Sequence, residues 1–392
     1  MPVAGSKPER RTVLVACLLV FMTQMATTIY LPSLPAVERE LGISRSHAAL
    51  SVSLFVIAAA APVLLWGRAA ERYGRRAAVL ASLALFIVAS ALLAVNTSAA
   101  GLLILRSFQG IGAGGAAILA RIFVRDLGDG EVLARRLSVL SIAFVVALGG
   151  GQFLGGLIGK YSHWQMGFVV LAVVGTIGVL GTLTLPLEPG QGRNRLAGAN
   201  RIYLCILTTP AFLLPTVAAG LGFATIVLLQ EVAPFVFQQH FGLSVDGYGN
   251  VGLLIGLSYF AGAMTVNRLA ASAGSARLMR IGALVMTGSG LLLVTLWLLP
   301  GIPLVAALVV FIVLYCVTTF GQAALFPSSM AVAVTSVKGN GAYAVALCGF
   351  FAQSIAGITA SLAVVLHNNV TWACVATALS ALAYLLVRRS GR

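Results

Sequence analysis

Gly67-Arg68-Ala-Ala-Glu71-Arg72-Tyr-Gly74-Arg75-Arg76 is the stretch on which the reading of this chain turns. It puts four arginines, one carboxylate and two glycines into ten residues, with apolar runs on both sides at 48–66 and 77–95. Each run is close to the roughly 20 residues that a membrane-crossing helix needs. The same ruler gives twelve apolar cores: 12–34, 48–66, 77–95, 100–123, 137–159, 166–186, 207–237, 248–267, 279–299, 303–327, 340–366 and 370–387. The connections between them are short, so no large soluble domain fits. The first core is too long for the apolar region of a signal peptide, so the expectation is a retained span.

Composition agrees. Of 392 residues, 59% are hydrophobic and only 9% are charged, and mean hydropathy is +1.01. A soluble domain carries about 25% charged residues, which excludes a water-soluble globule. A disordered chain lacks this much apolar material. The net charge of +15 has two readings. In a soluble protein it points to nucleic acid; in a membrane protein it marks the cytoplasmic connections.

The placement of the cations decides between them. With the amino terminus inside, the inner connections hold Arg68, Arg72, Arg75, Arg76, Arg125, Arg135, Arg136, Arg193, Arg195, Arg201, Arg268, Arg277, Arg280 and Lys338. The tails add Lys7, Arg10, Arg11, Arg388, Arg389 and Arg392, and Arg121 closes the fourth span from the inside. The outer connections hold Arg39, Arg45 and Lys160, and Arg106 stands within a span. This split of 21 to 3 predicts both termini in the cytoplasm of a bacterial inner (plasma) membrane. It explains the basicity through lipid head groups, with no nucleic-acid partner.

Between the sixth and seventh cores runs LEPGQGRNRLAGANR, residues 187–201. Its proline, glycines and arginines read as a linker. The expected organisation is therefore an amino-terminal six-helix half over 1–187, a cytoplasmic linker over 188–206 and a carboxy-terminal half over 207–392. The Gly67–Arg76 loop has a faint echo about 200 residues later, at Asn267–Arg277. Two parallel six-helix repeats are a transporter architecture.

The loop closely resembles the signature G-x-x-x-D-R-x-G-R-R/K of the major facilitator superfamily. The resemblance implies an all-α, polytopic fold of twelve transmembrane helices in two pseudo-symmetric halves. It also implies gating roles. Gly67 allows close helix approach or a turn. Glu71 holds an inner helix end or an arginine cluster in the outward-open state. Gly74 allows the tight reversal, and Arg72, Arg75 and Arg76 anchor at the head groups. The alternative is a generic positively charged inner loop.

Leu105-Arg106-Ser-Phe-Gln109-Gly110-Ile-Gly112 is similar to the family's second motif, R-x-x-Q-G-x-G. A guanidinium within a span either faces a cavity or partner or snorkels to the interface. Thr28-Ile-Tyr30-Leu-Pro32-Ser-Leu-Pro35, Arg125-Asp126, Trp164-Gln-Met-Gly-Phe168 and the small-residue segment 339–347 followed by Gln353 narrow the likeness. They resemble the Bcr/CflA drug:proton antiporters, relatives of bicyclomycin and chloramphenicol exporters. That likeness implies proton-driven export of drugs or, in some members, nucleosides or siderophores.

Two departures follow. The family commonly has Asp where this chain has Thr28, so the usual carboxylate for protons and cationic substrate is missing. The fifth-span motif G-x-x-x-G-P-x-x-G-G reads Ala147-Leu-Gly149-Gly150-Gly151-Gln152-Phe-Leu-Gly155-Gly156. Gly151, Gly155 and Gly156 keep close packing available. Gln152 replaces the proline and brings an amide that needs a partner.

Nine of the ten acids fall in connections, tails or span ends; Glu231, in Gln230-Glu231-Val-Ala-Pro234-Phe, does not. A lone intramembrane carboxylate is a functional candidate, and Pro234 frees backbone carbonyls beside it. Either Glu231 takes over the proton or cation work lost at Thr28, with Arg106 as electrostatic partner or anion-binding group, or it sits idle at the outer water boundary. Gln24 and Thr28 share one helix face. With Tyr30, Gln109, Gln152, Gln322 and Gln353 they make up the candidate substrate cavity, although amides also serve as interhelical glue. Phe223, Tyr259, Phe320, Phe350 and Phe351 either stack on an aromatic drug or pack the core.

The five cysteines read as buried, inert thiols. The four histidines are dispersed, so no metal site is expected, and no phosphate-binding G-x-x-x-x-G-K-[ST] string occurs. The expected protein is a cofactor-free, monomeric secondary transporter rather than an enzyme. Its partners are a small molecule, protons and lipid. A dedicated exporter of an endogenous metabolite or siderophore is the alternative, and a non-transporting sensor the lower one.

Overall fold

The computed structural model describes residues 7–127, 130–185, 205–337, 341–361 and 368–390. The predicted linker lies outside them up to residue 204. The amino-terminal half contains α1 (Lys7–Thr28), α2 (Leu34–Leu41), α3 (Arg45–Ala60), α4 (Val63–Tyr73), α5 (Arg75–Ala94), α6 (Ala99–Arg125), α7 (Gly130–Tyr161) and α8 (Met166–Leu183). The carboxy-terminal half contains α9 (Pro210–Phe235), α10 (Val245–Ala273), α11 (Ser275–Leu298), α12 (Leu304–Thr335), α13 (Gly341–Ala360) and α14 (Asn369–Ser390). Among the described residues, each of the twelve predicted cores overlaps helix, the second interrupted at residues 61–62. The architecture is an all-α, multi-pass membrane fold, with no strand among the described residues.

The second span departs from a straight rod. Arg45–Ala60 and Leu65–Tyr73 meet at 44°. Pro62 stands at the break, where its ring and missing N–H interrupt the helical ladder. α1 continues through a short turn containing Pro32 into α2, which ends at Gly42.

Local signals repeat with an offset of 200 residues. Gly42 and Gly242 take φ of 60° and 71°. Ser44 and Ser244 cap α3 and α10, each accepting a backbone N–H three residues on, His47 at 3.3 Å and Gly247 at 3.2 Å. Gly74 (φ 90°, ψ 152°) and Gly274 (φ 74°, ψ 149°) reverse the chain into α5 and α11. A side chain at either position would be strained. The faint echo in the sequence is thus an internal repeat at backbone resolution.

The halves meet along two seams, α7 with α10 and α3 with α9 and α13. Tertiary packing buries Phe55, Phe86, Phe123 and Phe168 within the first half and Phe237, Phe311, Tyr315 and Trp372 within the second. Large apolar side chains such as Leu14, Leu180, Leu257 and Val305 point outward. This inversion of the soluble pattern suits lipid as solvent.

Candidate functional site

Glu231 lies wholly inside the molecule, at 0% exposure, near the end of α9. The helix continues through Pro234 to Phe235 and widens into a π-turn over Val236–His240. The chain therefore does not break at Pro234, and Glu231 does not sit at a water boundary. Ser53 Oγ, on α3 of the other half, donates to Glu231 Oε1. Glu231 Oε2 has no hydrogen-bond partner. Arg45 Nη2 donates to the carbonyl of the next residue, Val232 O, at 3.5 Å, and its guanidinium lies 4.7 Å from the centroid of the Phe235 ring, one helical turn on.

The same end of the molecule carries more bridges between the halves. Lys160 Nζ pairs with Asp246 Oδ2 at 2.7 Å. Gln238 Nε2 donates to Pro32 O and Gln239 Nε2 to Glu38 Oε2, both at 2.7 Å. The face opposite the chain termini is therefore closed.

Arg106 neither snorkels nor pairs with Glu231. It is fully buried inside the first half. Its Nη1 donates to Ala26 O (3.1 Å) and to Gln109 Oε1 (2.6 Å), and its Nε donates to Ser51 O (3.4 Å). The rings of Phe55, Tyr30 and Phe168 lie 4.3, 5.2 and 5.9 Å from the guanidinium carbon. Gln109 Nε2 passes the network on to Ser90 Oγ at 2.8 Å. Arg106 Nη2 alone is unpartnered. Such a nest satisfies most of a buried charge and clamps α1, α3 and α6 together.

Several predicted cavity residues are buried in contacts between helices. Thr28 is buried and donates to Ala147 O at 3.0 Å, in the seam between α1 and α7. Tyr30 also lies inside the protein. It is buried against Trp164 and Phe168, its hydroxyl 3.3 Å from Ser51 Oγ. Gln109 is the buried partner of Arg106. Gln152 lies between α7 and α10 against Gly252, and both its Oε1 and Nε2 are buried without partners. Gln322 is buried with Oε1 unpartnered, beside Gly222. Gln24 and Gln353 remain half-exposed. Of the aromatic candidates, Phe350 pairs with Phe351, while Tyr259 packs on Phe144 and Phe223 on Phe326.

The signature loop is likewise partly reassigned. Gly67 meets no close neighbour, so helix approach does not require it. Glu71 is exposed, without a hydrogen bond or ion pair among the described residues. The loop role implied for it belongs to the state open on the opposite face, which is not the state seen. Arg75 and Arg76 both find partners within the protein. Arg75 pairs with Asp126 at the end of α6, and Arg76 donates to Leu183 O and Leu185 O at the end of α8. Arg72 stays exposed beside Tyr73. Gly151 and Gly155 carry α7 against α1, where an added Cβ would lie 2.1 Å from Thr28 Oγ1 and Ile29 O. Gly156 does the same against Gly249 of α10. Of the thiols, Cys205 and Cys374 are exposed, not buried, because they lie on outward helix faces.

Sequence reasoning missed Ser53. The signal available was Ser51-Val-Ser53 inside an apolar span, two hydroxyls where nothing local demands them. It also missed Lys160 with Asp246, whose partnership spans the two halves.

Two helical halves thus meet about a buried, half-satisfied carboxyl, and the family match makes the protein a transporter. The chain belongs to the Major Facilitator Superfamily, which it matches over residues 16–361. It is 26% identical over 297 residues to the uncharacterized MFS-type transporter YdgK of Bacillus subtilis, covering 74% of this chain and 73% of that one. It is 30% identical over 162 residues to multidrug resistance protein D of Escherichia coli, a match spanning 41% of each protein. It is 22% identical over 270 residues to a bicyclomycin resistance protein homolog of Haemophilus influenzae, 68% of each. Among solved structures, a D-xylose-proton symporter superposes with a TM-score of 0.80 at 17% identity, over 96% of this chain and 97% of that one. At that identity the likeness is one of fold.

Proposed function

We propose that the protein exports small molecules, drugs of the bicyclomycin and chloramphenicol kind among them, in exchange for protons by alternating access. The names of its relatives support the cargo class. The cation map supports a bacterial inner membrane with both termini in the cytoplasm. The closed face is then the outer one.

The observation that carries the coupling is Glu231, wholly buried where the halves meet, with one oxygen held across the seam and the other empty. An ionised carboxylate there has no cation to pair with among the described residues, and a buried unpaired charge is costly. The site therefore calls for a proton or for a cationic group of the cargo. Competition of the two for one carboxyl is the simplest form of exchange. Arg106 is committed to Gln109 and to two backbone carbonyls. It acts in this reading as a structural clamp, which weakens the case for a dedicated exporter of anionic metabolites.

The test is Glu231→Gln in proteoliposomes. Proton-driven counterflow of chloramphenicol or bicyclomycin falls at least tenfold and loses its dependence on pH. Unchanged transport with an unchanged pH profile refutes the reading.

A further inference from the structure

We propose that Ser53 is the positioning residue of Glu231, and that their hydrogen bond ties the load on the carboxyl to closure of the face opposite the termini. The inference rests on the reading of Glu231 as the coupling carboxyl.

Ser53 belongs to α3 of the first half and Glu231 to α9 of the second, and both are fully buried. Their bond crosses the seam that must open for alternation, so it exists only while the halves meet at this end. Ser53 occupies Oε1. Oε2 is left as the atom that accepts a proton or an ammonium group, and it is unpartnered. Fixing one oxygen fixes the direction from which the other is loaded. Opening the seam withdraws Ser53, admits water to Oε1 and frees the carboxyl to turn. The proton then passes between Oε2 and water on whichever face is open.

α3 is well placed for this duty. Toward one end of it Arg45 grips Val232 O and Phe235 of α9. Two residues before Ser53, the carbonyl of Ser51 receives Arg106 Nε. The serine is thus held by one arginine from its own helix and one from α6. The other charged or titratable groups on the surrounding elements have partners or face elsewhere. His47 is bound by Ser44, and Glu38 by Gln239. Glu40 is held by Trp164, and Cys348 lies 3.8 Å from Thr216 Oγ1. Arg39 and Cys374 are exposed. Tyr30 is held at Ser51, and Tyr315 and Cys316 face the second half's own core and α10. None forms an ion pair with Glu231.

The experiment compares wild type, Ser53→Ala, Ser53→Cys, Ser53→Thr and Glu231→Gln in liposomes, with Cys205 and Cys374 replaced by Ser. Spin labels at Tyr161→Cys and Asn250→Cys, both exposed, report the outer seam as pH is varied. In wild type the closed fraction rises as pH falls. In Ser53→Ala the wild-type midpoint is lost and the response moves at least one unit to higher pH, because the carboxylate buried on closure no longer has the hydroxyl that offset its charge. Thr retains the wild-type midpoint, and Cys, of similar size but a weaker donor, gives an intermediate value that keeps the test open if the alanine protein folds poorly. Glu231→Gln gives one distance distribution at every pH. A wild-type response in both Ser53→Ala and Ser53→Cys overturns the role of Ser53 and leaves Glu231 standing. A wild-type response in Glu231→Gln overturns the reading beneath it.

Discussion

At Gly155 an added Cβ would lie 2.1 Å from the backbone oxygen of Ile29, and backbone cannot move aside cheaply. Four residues earlier, at Gly151, the obstacle is Thr28 Oγ1. Gly150, on the same helix, meets nothing within 4 Å. Gly155→Val should therefore cost about 1–3 kcal/mol of stability through overpacking. Gly150→Ala should be neutral or slightly stabilising, because alanine is the better helix former. Thermal unfolding of the two detergent-solubilised variants separates them. The motif made all these glycines look alike, since spacing does not record which neighbour each one faces. Gln152 shows the same limit. Its amide was legible as a polar group in need of a partner; that it lies buried against Gly252 without one is a tertiary fact. Gln152→Leu removes two unsatisfied atoms and is expected to raise stability by about 1–3 kcal/mol. An unchanged or lowered unfolding temperature would show that water satisfies the amide.

Among the helices, ends matter more than middles. α8 ends with Leu183, and Arg76 of α5 donates to its carbonyl and to that of Leu185. A cation at a helix carboxy terminus satisfies orphan carbonyls and the dipole together. Arg76→Ala should speed hydrogen exchange in the last turn of α8 and leave its first turns unchanged. If exchange is unaltered, the arginine is a head-group anchor after all, as the loop motif implied. The spans themselves were readable because hydrocarbon admits only helices and needs about 20 apolar residues for each. The bend at Pro62 was not anticipated, although the proline was in view. Pro234 is the converse case: it frees carbonyls beside Glu231, yet α9 runs on through it to Phe235.

For the molecule as a whole, the closed face is a sum of modest contacts distributed between the halves. Lys160 with Asp246 is one of them, its side chains 45% and 23% exposed. Being exposed, the pair is screened by salt and is a marker of closure more than its cause. Lys160→Cys combined with Asp246→Cys should form a disulfide under oxidation, arrest transport and release it on reduction. Transport that persists in the crosslinked protein would mean that this face need not open during the cycle.

The amino-acid sequence alone determined the solvent, the number of crossings, the repeat and the presence of one intramembrane acid. Each of these depends on composition or on short-range pattern, which survives without knowledge of neighbours. Only the tertiary structure decided that Thr28, Tyr30, Gln109 and Arg106 are buried in contacts within the first half and that Glu231 accepts from Ser53. Polarity in an apolar span says that a partner is required, because an unsatisfied group in hydrocarbon is costly. Which partner is found depends on how two helices 178 residues apart along the chain are brought together.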